Sequence, residues 1–243
     1  MIAVARTWWA QAAEAALDLV VPQRCAGCGA PGMVWCPTCA RACGAGSMRV
    51  PGPVPARAAC EHASPAGRAV VAFKDDQVRR LAGPLGALLA GAVRDALVEA
   101  GTPCGVPVWV VPVPSRRSAV RSRGADHTEV LAGRAARVLR RSGIPAHRCP
   151  ALEHARASRD QVGLGRQQRL QNVAGSLRAL ALPPGVVVVV DDVTTTGATL
   201  TEAVRALGES GRNVACVATV TWSPGPRAVR RTPVPTSVEG AGG

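Results

Sequence analysis

Five consecutive valines, Val186 to Val190, run directly into Asp191 and Asp192 and then into the turn of the stretch VVVVVDDVTTTGATL. A β-branched run without polar alternation describes a strand buried on both faces, and such strands sit in parallel sheets covered by helices on each side. The flanking sequence has the matching rhythm. AVVAF (Ala69–Phe73), VWVVPV (Val108–Val113) and VACVATV (Val214–Val220) read as strands. Val78–Gly101 reads as a helix with an early break at Gly83–Pro84, and Thr128–Gly143 as a helix closed by glycine with arginines in its last turn. Leu200–Gly211 reads as a third helix, with Leu200, Ala203, Val204 and Leu207 on one face. The expected fold class is α/β, a mostly parallel open sheet flanked by helices.

In such sheets ligands gather beyond the carboxyl ends of the strands. The sequence puts Asp191 and Asp192 there, and two neighbouring carboxylates without a partner repel. A sugar diol offers them donors. The following turn opens a helix whose free N–H groups suit an anion, with Gly197 allowing close approach and Thr195, Thr196 and Thr199 adding hydroxyls. Together these residues describe a ribose on the carboxylates and its phosphate in the turn. The plainer alternative is a strand–turn–helix in which Asp and Thr serve only as caps. Neither G-x-x-x-x-G-K-[ST] nor G-x-G-x-x-G occurs.

Nine cysteines are present, an odd number. Four are spaced C-x2-C-x7-C-x2-C: Cys25, Cys28, Cys36 and Cys39. Two such knuckles complete the four-thiolate shell that zinc prefers, and a closed shell makes the metal structural. A redox or chance cluster is the alternative. Gly27 and Gly29 relieve crowding in the first turn, Pro37 shapes the second, and the short gap implies no intervening helix. Cys43 is near enough to compete as a ligand, whereas Cys60, Cys104, Cys149 and Cys216 read as small buried residues.

The net charge is +13, which suits nucleic acid, small polyphosphates or merely a solvated arginine-rich surface. The chain has no Tyr, one Phe and one Lys among its 29 basic residues, so arginine replaces lysine as a chain-wide bias. No run approaches the roughly 20 apolar residues that span a bilayer. Residues 1–22 read as an amphipathic helix, with Glu14 and Asp18 interrupting what a signal peptide keeps apolar. A cytoplasmic location is expected. The expected organisation continues with the four-cysteine zinc-binding segment at 23–43, a Gly/Pro-rich connector at 44–60, the main domain at 61–222, and a disordered tail at 223–243.

The stretch VVVVVDDVTTTGAT resembles the 5-phosphoribosyl 1-diphosphate (PRPP) motif of type I phosphoribosyltransferases. Further motifs follow in the order found in the ComF family of competence-associated proteins: PQRCAGC, then Phe73-Lys74, then PVP and RG between Pro112 and Gly124, then Gln161, Gly163, Leu164, Arg169 and Asn172. The resemblance covers roughly residues 17–222. It implies a type I phosphoribosyltransferase-like sheet, with Asp191 and Asp192 on the ribose hydroxyls and Thr194, Thr195, Thr196, Gly197, Ala198 and Thr199 around the 5-phosphate. It also implies Ser115, Arg116 and Arg117 on the diphosphate with Mg2+, and a flap carrying Arg156, Arg159 and Arg166. No general base is implied. Where the family commonly has Arg-Gly-Phe-Asn-Gln, this chain has Arg123 to His127 as RGADH; His127 could act as a base, though a histidine at a helix start is more often a surface residue or cap. The family association also allows a second role, as an adaptor in DNA uptake that contacts single-stranded DNA or a helicase partner, with the PRPP site a sensor or relic.

Overall fold

The computed structural model describes residues 23–115, 120, 125–155 and 174–224. The expected helix at 1–22, Arg116 and Arg117, most of the expected flap with Arg156, Arg159 and Arg166, and all but the first residues of the tail lie outside them. The described chain begins with the cysteine segment and a short helix, α1 (Pro37–Cys43). It then enters a sheet of six strands: β1 (Met48–Arg49), β2 (Ala56–Glu61), β3 (Val108–Pro112), β4 (Ala146–Arg148), β7 (Val186–Thr194) and β8 (Val214–Trp222). Their order is β1-β2-β8-β7-β3-β4, and every pairing is parallel except that of β1 with β2. A separate antiparallel pair, β5 (Leu152–His154) and β6 (Leu177–Ala179), brackets the segment 155–176. The structure is therefore an α/β fold with a mostly parallel open sheet, as expected.

Helices cover both faces. On one lie α2 (Pro65–Lys74), α3 (Ala82–Glu99) and α4 (His127–Arg141). Phe73, Leu85, Leu89, Val93 and Leu131 pack there against Val110, Val188 and Val190. On the other lies α5 (Ala198–Glu209), where Leu200, Ala203 and Leu207 meet Val111, Val187 and Val189. The five valines are thus divided by strand alternation between two apolar layers, which is why the run shows no polar position.

Three expectations are corrected. AVVAF is not a strand but the interior of α2. Ser64 caps that helix by accepting from the Ala66 N–H, Pro65 occupies its first turn, and Ala66, Ala69, Val70 and Phe73 fall on one buried face. Capping and the i, i+3, i+4, i+7 spacing outweigh the β-branched preference of Val70 and Val71. Gly83–Pro84 does not break the next helix, because a single 3-10 turn (Arg79–Leu81) precedes it and Pro84 lies in the first turn, where a missing N–H costs nothing. Residues 44–60 are not only connector: they supply β1 and most of β2.

The stretch Arg79–Glu99 is, by length and composition, apolar enough to cross a membrane, and 56% of it is buried in this fold. Leu85, Leu89, Ala92, Val93 and Ala96 all face the core. Its polar side is tied down by Glu99, which accepts from Arg57 Nε at 2.7 Å and pairs with Arg49, and by Asp95, which accepts from the Ser47 hydroxyl at 2.7 Å.

Candidate functional sites

The sulfurs of Cys25, Cys28, Cys36 and Cys39 lie within 4.8 Å of one another. Cys25 and Cys39 are 3.7 Å apart, and Cys28 and Cys36 3.6 Å. A tetrahedron with metal–sulfur distances of about 2.3 Å has edges of about 3.8 Å, so the four thiols fit an ion such as zinc. Cys36 is the N-cap of α1, and its sulfur accepts the Cys39 N–H at 3.4 Å. The Cys36 N–H in turn points at Cys25 sulfur at 3.4 Å. Burial raises the Cys25 thiol, but N–H groups of Cys36, Cys28 and Gly27 outweigh it and bring it to about 6. Burial and then the neighbouring sulfurs push Cys39 far up.

A methyl group at Gly27 would lie 2.7 Å from the Cys39 sulfur, and Gly29 adopts φ +79°. Both glycines are therefore required in the first turn. Cys43 does not join the cluster. It ends α1 in the main core, where the Cys60 thiol donates to its carbonyl at 3.3 Å. Cys60 and Cys216 are buried as expected, and burial pushes both up to about 12. Cys104 is exposed and Cys149 only partly covered.

The second site lies at the carboxyl end of the sheet. From β3 the chain crosses through α4 to β4 on one side. From β7 it crosses through α5 to β8 on the other, over the opposite face. The crevice between β3 and β7 is the topological switch point, where open α/β sheets bind ligands. Asp191 and Asp192 are in β7, three and two residues before its last residue, Thr194. Alternation sends them to opposite faces. Asp192 continues the row of Val188 and Val190, and Asp191 that of Val187 and Val189.

Their surroundings differ accordingly. Asp192 is buried, and its Oδ2 is 2.5 Å from Lys74 Nζ, at the last residue of α2. Asp191 is half-buried, and its Oδ1 accepts the Asp192 N–H at 2.8 Å. Burial, and then the charge of Asp192, hold the Asp191 carboxyl well above the usual range, against the opposing pull of the Asp192 N–H and Lys74. Thr194 is buried at the end of β7, and its carbonyl accepts the Ser223 N–H. Thr195, Thr196 and Thr199 are exposed. Gly197 takes φ +76° as the residue before α5, and Ala198 begins the helix. The Thr196 hydroxyl accepts the Ala198 N–H at 3.5 Å, a local cap at the start of α5.

Ser115 follows β3. Its N–H and hydroxyl donate to the two oxygens of Asp126, at 2.8 and 2.9 Å, and its carbonyl lies 3.2 Å from His154 Nε2. Asp126 also caps α4 by accepting the Glu129 N–H. Asp126 thus joins the end of β3 to the start of α4. His127 is not a surface residue. It is buried, with its ring edge-on to Phe73 at 4.8 Å and 85°.

Sequence reasoning missed the Lys74–Asp192 pair and the Asp126 clamp. Two signals were available: Lys74 is the chain's one lysine, and Asp126 stands where an N-cap is wanted. On α4, a cavity of about 510 Å³ opens beside Asp126, lined by Glu129, Val130, Arg134, Arg137 and Arg148. Glu129 pairs with Arg148 there.

The described fold and residues define an α/β open-sheet protein carrying an N-terminal four-cysteine cluster. No protein-family model matches the chain, and no curated protein matches it significantly.

Proposed function

We propose that this protein binds PRPP in the β3–β7 crevice and transfers its phosphoribosyl group to an acceptor, as the resemblance to the ComF family and type I phosphoribosyltransferases suggests. The observation that carries the proposal is the juxtaposition at one switch point of the paired aspartates, the left-handed Gly197 turn and Ser115. In this reading the carboxylates accept from the ribose hydroxyls, and the turn at Thr194–Thr199 receives the 5-phosphate. The resemblance assigns Ser115, Arg116 and Arg117 to the diphosphate. As the anomeric C–O bond breaks, its electron pair leaves with the diphosphate and positive charge develops on the sugar. The acceptor then bonds to that carbon and releases a proton. Arginines aimed at the diphosphate stabilise the leaving group, and orientation supplies much of the remaining rate. Mg2+ entering with the diphosphate would neutralise part of its charge. The four-cysteine cluster would hold zinc as a structural ion.

Calorimetric titration of the zinc-loaded protein with PRPP, with and without Mg2+, tests this. Saturable binding that strengthens with Mg2+ is expected, and it should be lost when Asp191 and Asp192 are both changed to Asn. Absence of binding at millimolar ligand would refute the proposal.

A second reading, a DNA-contacting adaptor in DNA uptake acting with a helicase partner in the cytoplasm, is favoured by one observation. Arg134, Arg137 and Arg148 line the cavity on α4 in a chain of net charge +13. Here single-stranded DNA affinity should fall steeply with added salt and weaken in Arg134→Ala and Arg137→Ala variants. Affinity insensitive to both would exclude it.

A further inference from the structure

The Phe73-Lys74 pair has no role in the reading above, yet it reaches the centre of the site. We propose that Lys74 is the resident counter-cation of the paired-aspartate site and a positioning residue for its ligand. It pairs with and orients the Asp192 carboxylate while offsetting repulsion between that carboxylate and an anionic sugar phosphate. The inference rests on the phosphoribosyl reading and deepens it.

Four observations lead there. First, Lys74 Nζ is 2.5 Å from Asp192 Oδ2, and the Asp192 side chain is only 7% exposed. A buried charge left without a partner is costly, and Lys74 supplies that partner. Second, this is the single lysine among 29 basic residues. A chain that uses arginine everywhere else keeps an ammonium here, where a compact point charge fits and a planar guanidinium fork takes more room.

Third, α2 is fixed at both ends. At its start, Arg68 Nε donates to the Gly27 carbonyl of the cysteine knuckle at 2.5 Å, and Pro65 Cβ would lie 2.9 Å from a methyl group at Gly27. At its end, Phe73 meets the His127 ring. Lys74 is thus delivered to Asp192 by a helix braced between the four-cysteine cluster and α4. Fourth, Asp191 lies on the opposite face of β7, so the lysine pairs directly with one carboxylate of the two.

A single lysine makes the test direct. Protein labelled with [13C]lysine should give one Cε resonance, and Asp192→Asn should shift it. An unmoved resonance would overturn the proposal whatever PRPP does. Wild-type, Lys74→Met and Lys74→Arg proteins are then titrated with PRPP and Mg2+, with thermal melts to verify folding. Affinity should fall by about 10- to 100-fold in Lys74→Met, as for loss of a charged hydrogen-bonding partner. Lys74→Arg should fall less, since it restores charge without the shape. Equal affinity of Lys74→Met and wild type would overturn the ligand role. If wild-type protein with an Asp192-sensitive resonance binds no PRPP, the phosphoribosyl reading itself fails. The ligand role of Lys74 then falls with it, while the ion pair stands on its own signal.

Discussion

The two sites of this protein are built in opposite ways. The four sulfurs come from one short stretch, Cys25 to Cys39, and their positions follow from two tight turns and the start of α1. The carboxylate site draws Lys74, Ser115, Asp126 and Asp191–Asp192 from α2, the end of β3, the start of α4 and β7. Local turns hold the first, and sheet topology holds the second. One element joins them, because α2 rests on the knuckle at Pro65 and Arg68 and ends at Lys74. The cluster is therefore placed to brace the helix that ends at the far site.

The most severe way to break this arrangement is to open the knuckle. Cys39→Ser removes a buried sulfur from the cluster, and a structural ion stabilises only the state that forms its complete shell. Metal content by emission spectrometry should fall, and the midpoint of thermal unfolding should drop by about 10 °C, equivalent to roughly 3–4 kcal/mol in a chain of this size. If that brace is real, affinity for PRPP falls with it. A normal carboxylate site in a knuckle that has lost its metal would separate the two regions.

The link itself is tested next. A methyl group at Gly67, in the first turns of α2, would lie 1.7 Å from the His62 carbonyl oxygen. Nothing flexible can yield there, so Gly67→Ala must push α2 away from the preceding turn. We expect a loss of about 3 kcal/mol in denaturant unfolding. The Lys74 Cε resonance should move although the substitution is at the other end of the helix. Gly83→Ala, in α3 where a methyl group meets open space, is the control and should cost nothing.

The same contrast explains what could be read from sequence. The C-x2-C spacing carries its own geometry, so the cluster was readable as it stands, including the need for Gly27 and Gly29. Val186–Val190 carry the two-faced burial of β7, and with it the sheet class and the location of Asp191 and Asp192. Where the reading failed, a short apolar run was judged by its residues alone. Val70 and Val71 favour a strand, and only the preceding Ser64-Pro65 and the spacing of Ala66, Ala69, Val70 and Phe73 reveal a helix. The Lys74–Asp192 pair depended on that error, since a lysine at the end of a strand would not reach the α2 face of β7. The Asp126–Ser115 link was out of reach for another reason: Ser115 comes from the end of β3, and sequence separation says nothing of which strand end meets which helix start.

The finest distinction lies within the carboxylate pair, where two adjacent identical residues should respond with opposite sign. Asp192→Asn deprives Lys74 of its charged partner and should destabilise the fold by about 1–2 kcal/mol, less than a fully buried pair because the lysine is a quarter exposed. Asp191 has no ion-pair partner of its own among the described residues, and burial and the Asp192 charge hold its carboxyl above the usual range. The folded protein then binds this proton more tightly than the unfolded chain. The associated stability is fully present below the ordinary aspartate range and is lost as pH rises through the elevated folded value. At neutral pH the wild-type protein carries that cost, and Asp191→Asn, which keeps an oxygen for the Asp192 N–H, removes it. The variant should melt above wild type at neutral pH. The difference should vanish toward pH 3. A melting difference that stays constant across that range would mean that the Asp191 carboxyl is not held above the usual range by burial and the Asp192 charge, and that the two aspartates do not differ in this way.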